Sequence, residues 1–206
     1  MIRRTINSLI KDSSKNVGLS GQRGQSLVEF ALVTPFLLLL VLGVIEFGYA
    51  LYEGHNVAKL AREGANMISR RTSLEDALNV LMEAANGPPV ELAAGGRLML
   101  SVVEANDSGE YIMTNRISVG SLSVIEAPSA FLDPPSSEYG SAPDYEAYDI
   151  DSAAIKIFGD LPNGLTLDPG EVIYVSEVYT EHTFLTPFEA FWGETFPNTL
   201  YASAIY

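Results

Sequence analysis

The sequence predicts an α+β protein in which a long N-terminal transmembrane helix continues into a helical stalk, followed by a small, mainly antiparallel β-rich extracytoplasmic domain. Three observations predict this fold class. Residues 30–45 form an uncharged apolar run that includes four consecutive leucines. Apolar residues then recur at spacings of three and four between residues 46 and 71, which is typical of a helix. Segments with strand-type alternation follow from residue 97 to residue 206.

The apolar run is long enough to cross a membrane. Starting it at Leu27 gives 19 residues (27–45) with Glu29 as the only charge, a helix of about 28 Å at 1.5 Å per residue. The hydrocarbon core of a bilayer is about 30 Å thick. A buried core helix is the first alternative, but apolar residues on every side leave no polar face. A secretory signal peptide is the second, but no Ala-x-Ala cleavage site lies directly after the apolar run, so we expect the segment to stay with the mature protein.

Charge is distributed unevenly along the chain, whose formal net charge is −14. Residues 1–24 carry five basic residues and one acid, whereas residues 98–206 carry two basic residues and 17 acids. The positive-inside rule therefore places the N-terminus in the cytoplasm and the acidic part outside. The acidic balance argues against nucleic-acid binding. The absence of cysteine excludes disulfides and thiolate chemistry, and two histidines, His55 and His182, leave little for a metal site or a catalytic triad. We expect His182 to lie on an edge strand or at the surface.

Four segments are predicted along the chain. They are a basic cytoplasmic leader (1–24), the transmembrane helix (25–46), a helical stalk with a second helix (47–89), and an acidic β-rich domain (90–206) with a long loop at 127–151. The second helix is predicted from the capping box Thr72-Ser-Leu-Glu75. Small residues in the stalk, such as Ala61 and Ala65, would let another helix approach closely. The predicted strands are 97–104, 111–118, 153–158, 171–179 and 199–206.

A candidate processing signal precedes the apolar run, where residues 21–30 read Gly-Gln-Arg-Gly-Gln-Ser-Leu-Val-Glu-Phe. A glycine, four residues, Glu-Phe and an apolar helix together resemble the prepilin-peptidase signal of type IV pilins. The resemblance implies cleavage between Gly24 and Gln25, which makes Glu29 the fifth residue of the mature chain. A carboxylate in a membrane helix costs about 2.5–3.5 kcal/mol at the bilayer centre and usually has a partner. The resemblance implies that the partner of Glu29 is the N-terminal ammonium of a neighbouring subunit. The alternative is that Glu29 lies at the headgroup level of a plain single-pass membrane anchor.

The resemblance extends further along the chain. Residues 28–32 (Val-Glu-Phe-Ala-Leu), Pro35, residues 46–48 (Glu-Phe-Gly) and residues 61–65 (Ala-Arg-Glu-Gly-Ala) are similar to the N-terminal module of the TadE-like minor pseudopilins of bacterial Tad (tight adherence) pili. Pro35 is expected to kink the helix, because proline removes one intrahelical hydrogen bond and clashes with the preceding turn.

This resemblance implies a non-enzymatic protein of the bacterial inner membrane that is needed to assemble an adhesive pilus for attachment and biofilm formation, and that is incorporated into that pilus. The implied partners are a prepilin peptidase, other pilins and pseudopilins of the system, the inner-membrane assembly platform and the lipid bilayer. The alternative is an unprocessed, membrane-anchored scaffold of pilus or secretion machinery. A membrane-tethered hydrolase is a remote third hypothesis.

An acidic cluster lies within the predicted loop at 127–151. Asp144, Glu146, Asp149 and Asp151 fall within eight residues. Such oxygens can bind Ca²⁺, and paired carboxylates can act as acid and base. The spacing fits no EF-hand loop, because the glycine and the closing glutamate are missing. We interpret the cluster as part of a solvated loop, keep these residues as weak calcium candidates, and predict no cofactor.

Overall fold

The computed structural model describes residues 20–186 and 198–206, so most of the predicted leader lies outside the described residues. Within these residues, two longer helices come first, followed by seven strands and one short helix. Their bounds are α1 Ser20–Ser69, α2 Leu74–Ala84, β1 Asn86–Gly87, β2 Val90–Glu91, α3 Leu92–Gly95, β3 Gly96–Ala105, β4 Tyr111–Gly120, β5 Lys156–Ile157, β6 Val172–Glu181 and β7 Thr199–Ile205.

Helix α1 is 50 residues long and continues through Pro35. Its apolar part has a mean hydropathy of 2.5 and is not buried inside the protein. Side chains pointing in all directions are exposed there, among them Leu27, Phe30 and Phe36. Among the described residues, this is the one helix that is long and apolar enough to cross a membrane. The chain divides after Phe47, and Gly48–Tyr206 forms a compact unit that includes both the predicted stalk and the β-rich segment.

The compact unit is built on a five-stranded antiparallel sheet with the order β5-β4-β3-β6-β7. The central strand β3 pairs with β4 on one side and with β6 on the other, so that Leu98 lies opposite both Val119 and Val178. A long N-terminal apolar helix followed by an antiparallel sheet confirms the predicted α+β class. Strand β5 is shorter than predicted, because the loop residues Tyr145 and Ala147 hydrogen-bond to the remaining edge of β4.

Residues 57–68 of α1 and helix α2 cover one face of the sheet. The core on this face combines apolar residues of α1 and α2 with the even-numbered positions of β3 and β6, such as Leu98 and Val178. Ala61 and Ala65 of α1 are fully buried in it. A Cβ atom added to Gly64 would lie 2.5 Å from the Ser176 Oγ of β6. The small residues of this part of α1 therefore permit a close approach by β6, and Leu81 of helix α2 lies 3.0 Å from the same added Cβ.

The long connection between β4 and β6 packs on the opposite face. Its buried residues, including Phe131, Tyr139 and Ile155, contact Val103 and Val175 of the sheet. The segment predicted as a loop, residues 127–151, contains one 3-10 turn at Ser136–Glu138 and two isolated β-bridges. Loop residues therefore contribute a second hydrophobic core.

Helix α2 begins one residue later than its predicted capping box implies. Ser73 is the N-cap, and its Oγ accepts a hydrogen bond from the Asp76 backbone N at 3.1 Å. The Ser73 hydroxyl also donates to the Asp76 carboxylate at 2.8 Å. Asp76 thus takes the third helical position that the sequence analysis gave to Glu75. Serine at the N-cap is at least as favourable as threonine, and both satisfy the exposed N–H groups of the first turn. The sequence pattern therefore did not distinguish a helix capped by Ser73 from one capped by Thr72.

Candidate processing and assembly site

The predicted cleavage bond, Gly24–Gln25, lies inside α1, which begins at Ser20. Gly24 is exposed, and no atom lies within 4 Å of the position that a Cβ would take. A protease active site generally needs an extended backbone, so cleavage here requires the first turns of α1 to unwind. Glycine lowers helix stability by about 1 kcal/mol relative to alanine. Gly24 therefore makes this unwinding easier and leaves the backbone accessible.

Glu29 lies one turn after Gln25 on the same face of α1. The Gln25 side-chain Nε2 donates a hydrogen bond to Glu29 Oε1 at 3.0 Å, and both side chains are exposed. In the part of the chain that the structure describes, no lysine or arginine forms an ion pair with Glu29. The structure thus brings two of the predicted site residues together, and the Glu29 carboxylate faces outward from the start of the apolar helix.

Pro35 lies six residues further along, in the middle of the apolar segment. It has no N–H group, so the carbonyl of Ala31 loses its usual helical partner. Directly before it, the Thr34 hydroxyl donates to the Phe30 carbonyl at 2.7 Å, a contact that often accompanies bent helices. The two residues together weaken the regular hydrogen bonding of one helical turn.

The weak calcium candidates are spread along the loop. Asp149 Oδ1 accepts a hydrogen bond from the Asp151 backbone N at 3.0 Å. The main-chain carbonyls of Asp144 and Glu146 accept hydrogen bonds from Asn115 Nδ2 and from the Gly140 N. Within residues 20–186 and 198–206, no group of three or more aspartate, glutamate or histidine side chains is arranged to hold a metal ion.

A buried charge cluster that the sequence analysis did not predict lies on the loop-covered face of the sheet. Asp133 Oδ1 accepts hydrogen bonds from Arg97 Nη2 at 2.8 Å and from Arg116 Nη2 at 2.6 Å. The two arginine side chains are only 7% and 3% exposed. Burial lowers the pKa of Arg116, while the neighbouring Asp133 acts in the opposite direction. One loop carboxylate is therefore shared by two cations of the sheet, and Glu177 adds a second negative charge nearby.

Glu177 of β6 binds the same loop at residues 129 and 130. Its Oε1 accepts hydrogen bonds from the Ala130 N at 2.8 Å and from the Tyr201 hydroxyl at 2.9 Å. Its Oε2 accepts one from Ser129 Oγ at 2.5 Å. Glu177 is 1% exposed. Asp133 and Glu177 together attach residues 129–133 to the sheet by charge-assisted hydrogen bonds, which are stronger than neutral ones.

His182 is buried rather than on the surface, so that prediction is wrong. Its Nδ1 is paired with the Glu53 carboxylate of α1, and both side chains are almost fully enclosed. The Phe184 ring packs edge-on against the imidazole at 4.8 Å between ring centroids. Glu53 and His182 are 129 residues apart in the chain, so no local motif indicated the pair. It links the helix layer to the end of β6.

The similarity to known proteins covers the N-terminal part of the chain. Residues 24–66 match the family model described as TadE-like protein. The matched range begins at Gly24 and includes Glu29, Pro35 and Gly64. No curated protein and no solved structure matches the chain. The predicted resemblance is thereby confirmed for about a fifth of the sequence, and the chain carries a TadE-like domain at residues 24–66.

Proposed function

We propose that this protein is a minor pseudopilin that a prepilin peptidase processes and that is required for assembly of a Tad-type adhesive pilus. The observation that carries the proposal is the TadE-like match, which starts at Gly24 and contains one exposed carboxylate, Glu29, at the start of an apolar helix. The TadE-like family is a family of pilus components and not of enzymes. Membrane anchoring by helix α1 is consistent with such a role.

Before processing, the chain is held in the bacterial inner membrane. Five basic residues in the first 24 keep the leader in the cytoplasm. The acidic unit that begins at Gly48 then lies on the outer side. The peptidase removes residues 1–24, and the new N-terminus is the α-amine of Gln25.

Assembly then depends on the pairing of charges between neighbouring subunits. The apolar surface of α1 around Leu27 and Phe36 is buried against other helices when the subunit leaves the lipid for the filament. The ammonium of Gln25 also enters this apolar environment. A buried charge without a partner costs several kcal/mol, as measured when one partner of a buried ion pair is deleted. The carboxylate of Glu29 on the neighbouring subunit provides the countercharge.

The test is to measure two properties of the Glu29→Ala variant in one strain. The first is the mass of the mature protein in membranes, and the second is the amount of pili and of surface attachment. We expect normal cleavage at Gly24, accumulation of the mature form, and loss of most piliation. Val28→Ala is the matched control, because it shortens an exposed neighbouring side chain of the same helix without removing a charge.

Each contrary result has a defined meaning. Wild-type piliation by mature Glu29→Ala protein would contradict the charge-pairing mechanism. An intact N-terminus at Met1 in the wild-type protein would contradict processing, and would favour the membrane-anchored scaffold instead.

A further inference from the structure

A mature subunit that begins with Gln25 has a reactive N-terminus. The α-amine nitrogen of an N-terminal glutamine can attack the Cδ carbon of its own side-chain carboxamide. The new N–Cδ bond closes a five-membered lactam, the bond between Cδ and Nε2 breaks, and ammonia leaves with the transferred proton. The reaction needs no oxidant, reductant or other reactant. Its product, pyroglutamate, is neutral and no longer carries an ammonium group.

The structure shows where the carboxamide of Gln25 is held. Its Nε2 donates to Glu29 Oε1 at 3.0 Å, one turn further along α1. This contact directs the carboxamide along the helix towards residue 29. Ring closure requires the side chain to leave Glu29 and to fold back onto its own backbone nitrogen. The hydrogen bond and the lactam therefore exclude each other.

We propose that Gln25 of the processed subunit is a modification site for lactam formation, and that Glu29 suppresses this reaction by holding the Gln25 carboxamide. The inference rests on the proposed cleavage after Gly24. It gives Glu29 a second role on its own chain, because a cyclised subunit has lost the ammonium that the neighbouring Glu29 would bind. After assembly, the same amine is engaged by the neighbouring carboxylate and stays protected.

The experiment compares mature wild-type protein with the Glu29→Ala and Glu29→Gln variants. Each is purified in detergent micelles from membranes and incubated at neutral pH, and the N-terminal peptide is followed by mass spectrometry for the loss of one ammonia molecule. We expect the lactam to form roughly 1.5- to twofold faster in Glu29→Ala, the factor that an exposed side-chain pair one helical turn apart provides. Glu29→Gln keeps an oxygen acceptor for Gln25 Nε2, so it should cyclise at nearly the wild-type rate. Gln25→Ala is the control for background mass changes, because it has no carboxamide to lose.

Two results would overturn the inference while the proposed function stands. One is an N-terminus at Gln25 with equal rates of ammonia loss in the wild-type and Glu29→Ala proteins. The other is a Glu29→Gln variant that cyclises as fast as Glu29→Ala, which would eliminate the hydrogen bond as the protecting contact. An N-terminus at any other residue would overturn both the inference and the proposed processing.

Discussion

Replacing Asp133 by alanine should strongly destabilise the compact unit. Asp133 is the shared carboxylate between Arg97 and Arg116, at 2.8 and 2.6 Å. The side chains of Arg97 and Arg116 are only 7% and 3% exposed. Alanine at position 133 removes the carboxylate that binds both of them. The two guanidinium groups then lack the charged partner that offsets their removal from water.

The magnitude follows from the burial of the cluster. Deleting one partner of a buried ion pair costs about 3–5 kcal/mol. The compact unit spans residues 48–206, a size for which 1 kcal/mol corresponds to a shift of about 2–4 °C in Tm. The expected decrease in Tm is therefore about 6–20 °C. Asp133→Asn keeps an oxygen acceptor but no charge, so its decrease should be smaller.

Thermal unfolding of the detergent-solubilised full chain, followed by circular dichroism at a wavelength for β-structure, measures this effect. Glu110→Ala is the matched control, because Glu110 is half exposed in the β3–β4 turn and forms its ion pair, at 3.1 Å, with Lys156 of β5. Exposed ion pairs contribute little to stability, so its Tm should stay close to that of the wild type. A Tm decrease in Asp133→Ala no larger than in Glu110→Ala would refute the reasoning from burial.

Four further predictions follow from the same structure. Gly24→Val should leave unprocessed precursor in the membrane, visible as a higher mass on immunoblots; normal processing would show that the cleavage bond lies elsewhere. Pro35→Ala should insert normally but change pilus assembly, because it restores an intrahelical hydrogen bond; unchanged piliation would leave Pro35 without a role. Gly64→Ala should lower Tm in spite of a gain of about 1 kcal/mol in helix propensity, because the added Cβ would lie 2.5 Å from the Ser176 hydroxyl of β6. Gly54→Ala should raise Tm, because nothing lies within 4 Å of the position that its Cβ would take. Burial raises the pKa of Tyr139 above its usual 10.0. The stability that this group contributes is therefore complete below pH 10 and decreases as the pH rises further. In Tyr139→Phe the free energy of unfolding should fall less steeply above pH 10 than in the wild type, and an identical slope would contradict this assignment.

Several features of the protein were determined by the sequence alone. The apolar run at residues 30–45 predicted the membrane-type helix, because its length and uniform polarity are properties of a continuous segment. Strand-type alternation predicted strands β3, β4, β6 and β7 nearly to their bounds, although β3 and β6 are buried on both faces of the sheet. The candidate processing and pairing residues, from Gly24 to Glu29, were likewise predicted from a short linear pattern.

Tertiary structure alone decided which distant side chains meet. The sequence indicated that small residues such as Ala61 and Ala65 permit a close approach, but only the fold shows that β6 and α2 are the elements that approach there. Arg97, Arg116 and Asp133 come together because two neighbouring strands and a loop converge on one face of the sheet. Glu53 and His182 meet across 129 positions of the chain. Local periodicity reports which face of an element is buried, whereas the partner on that face depends on strand order, register and loop path, and these are fixed only when the whole chain packs.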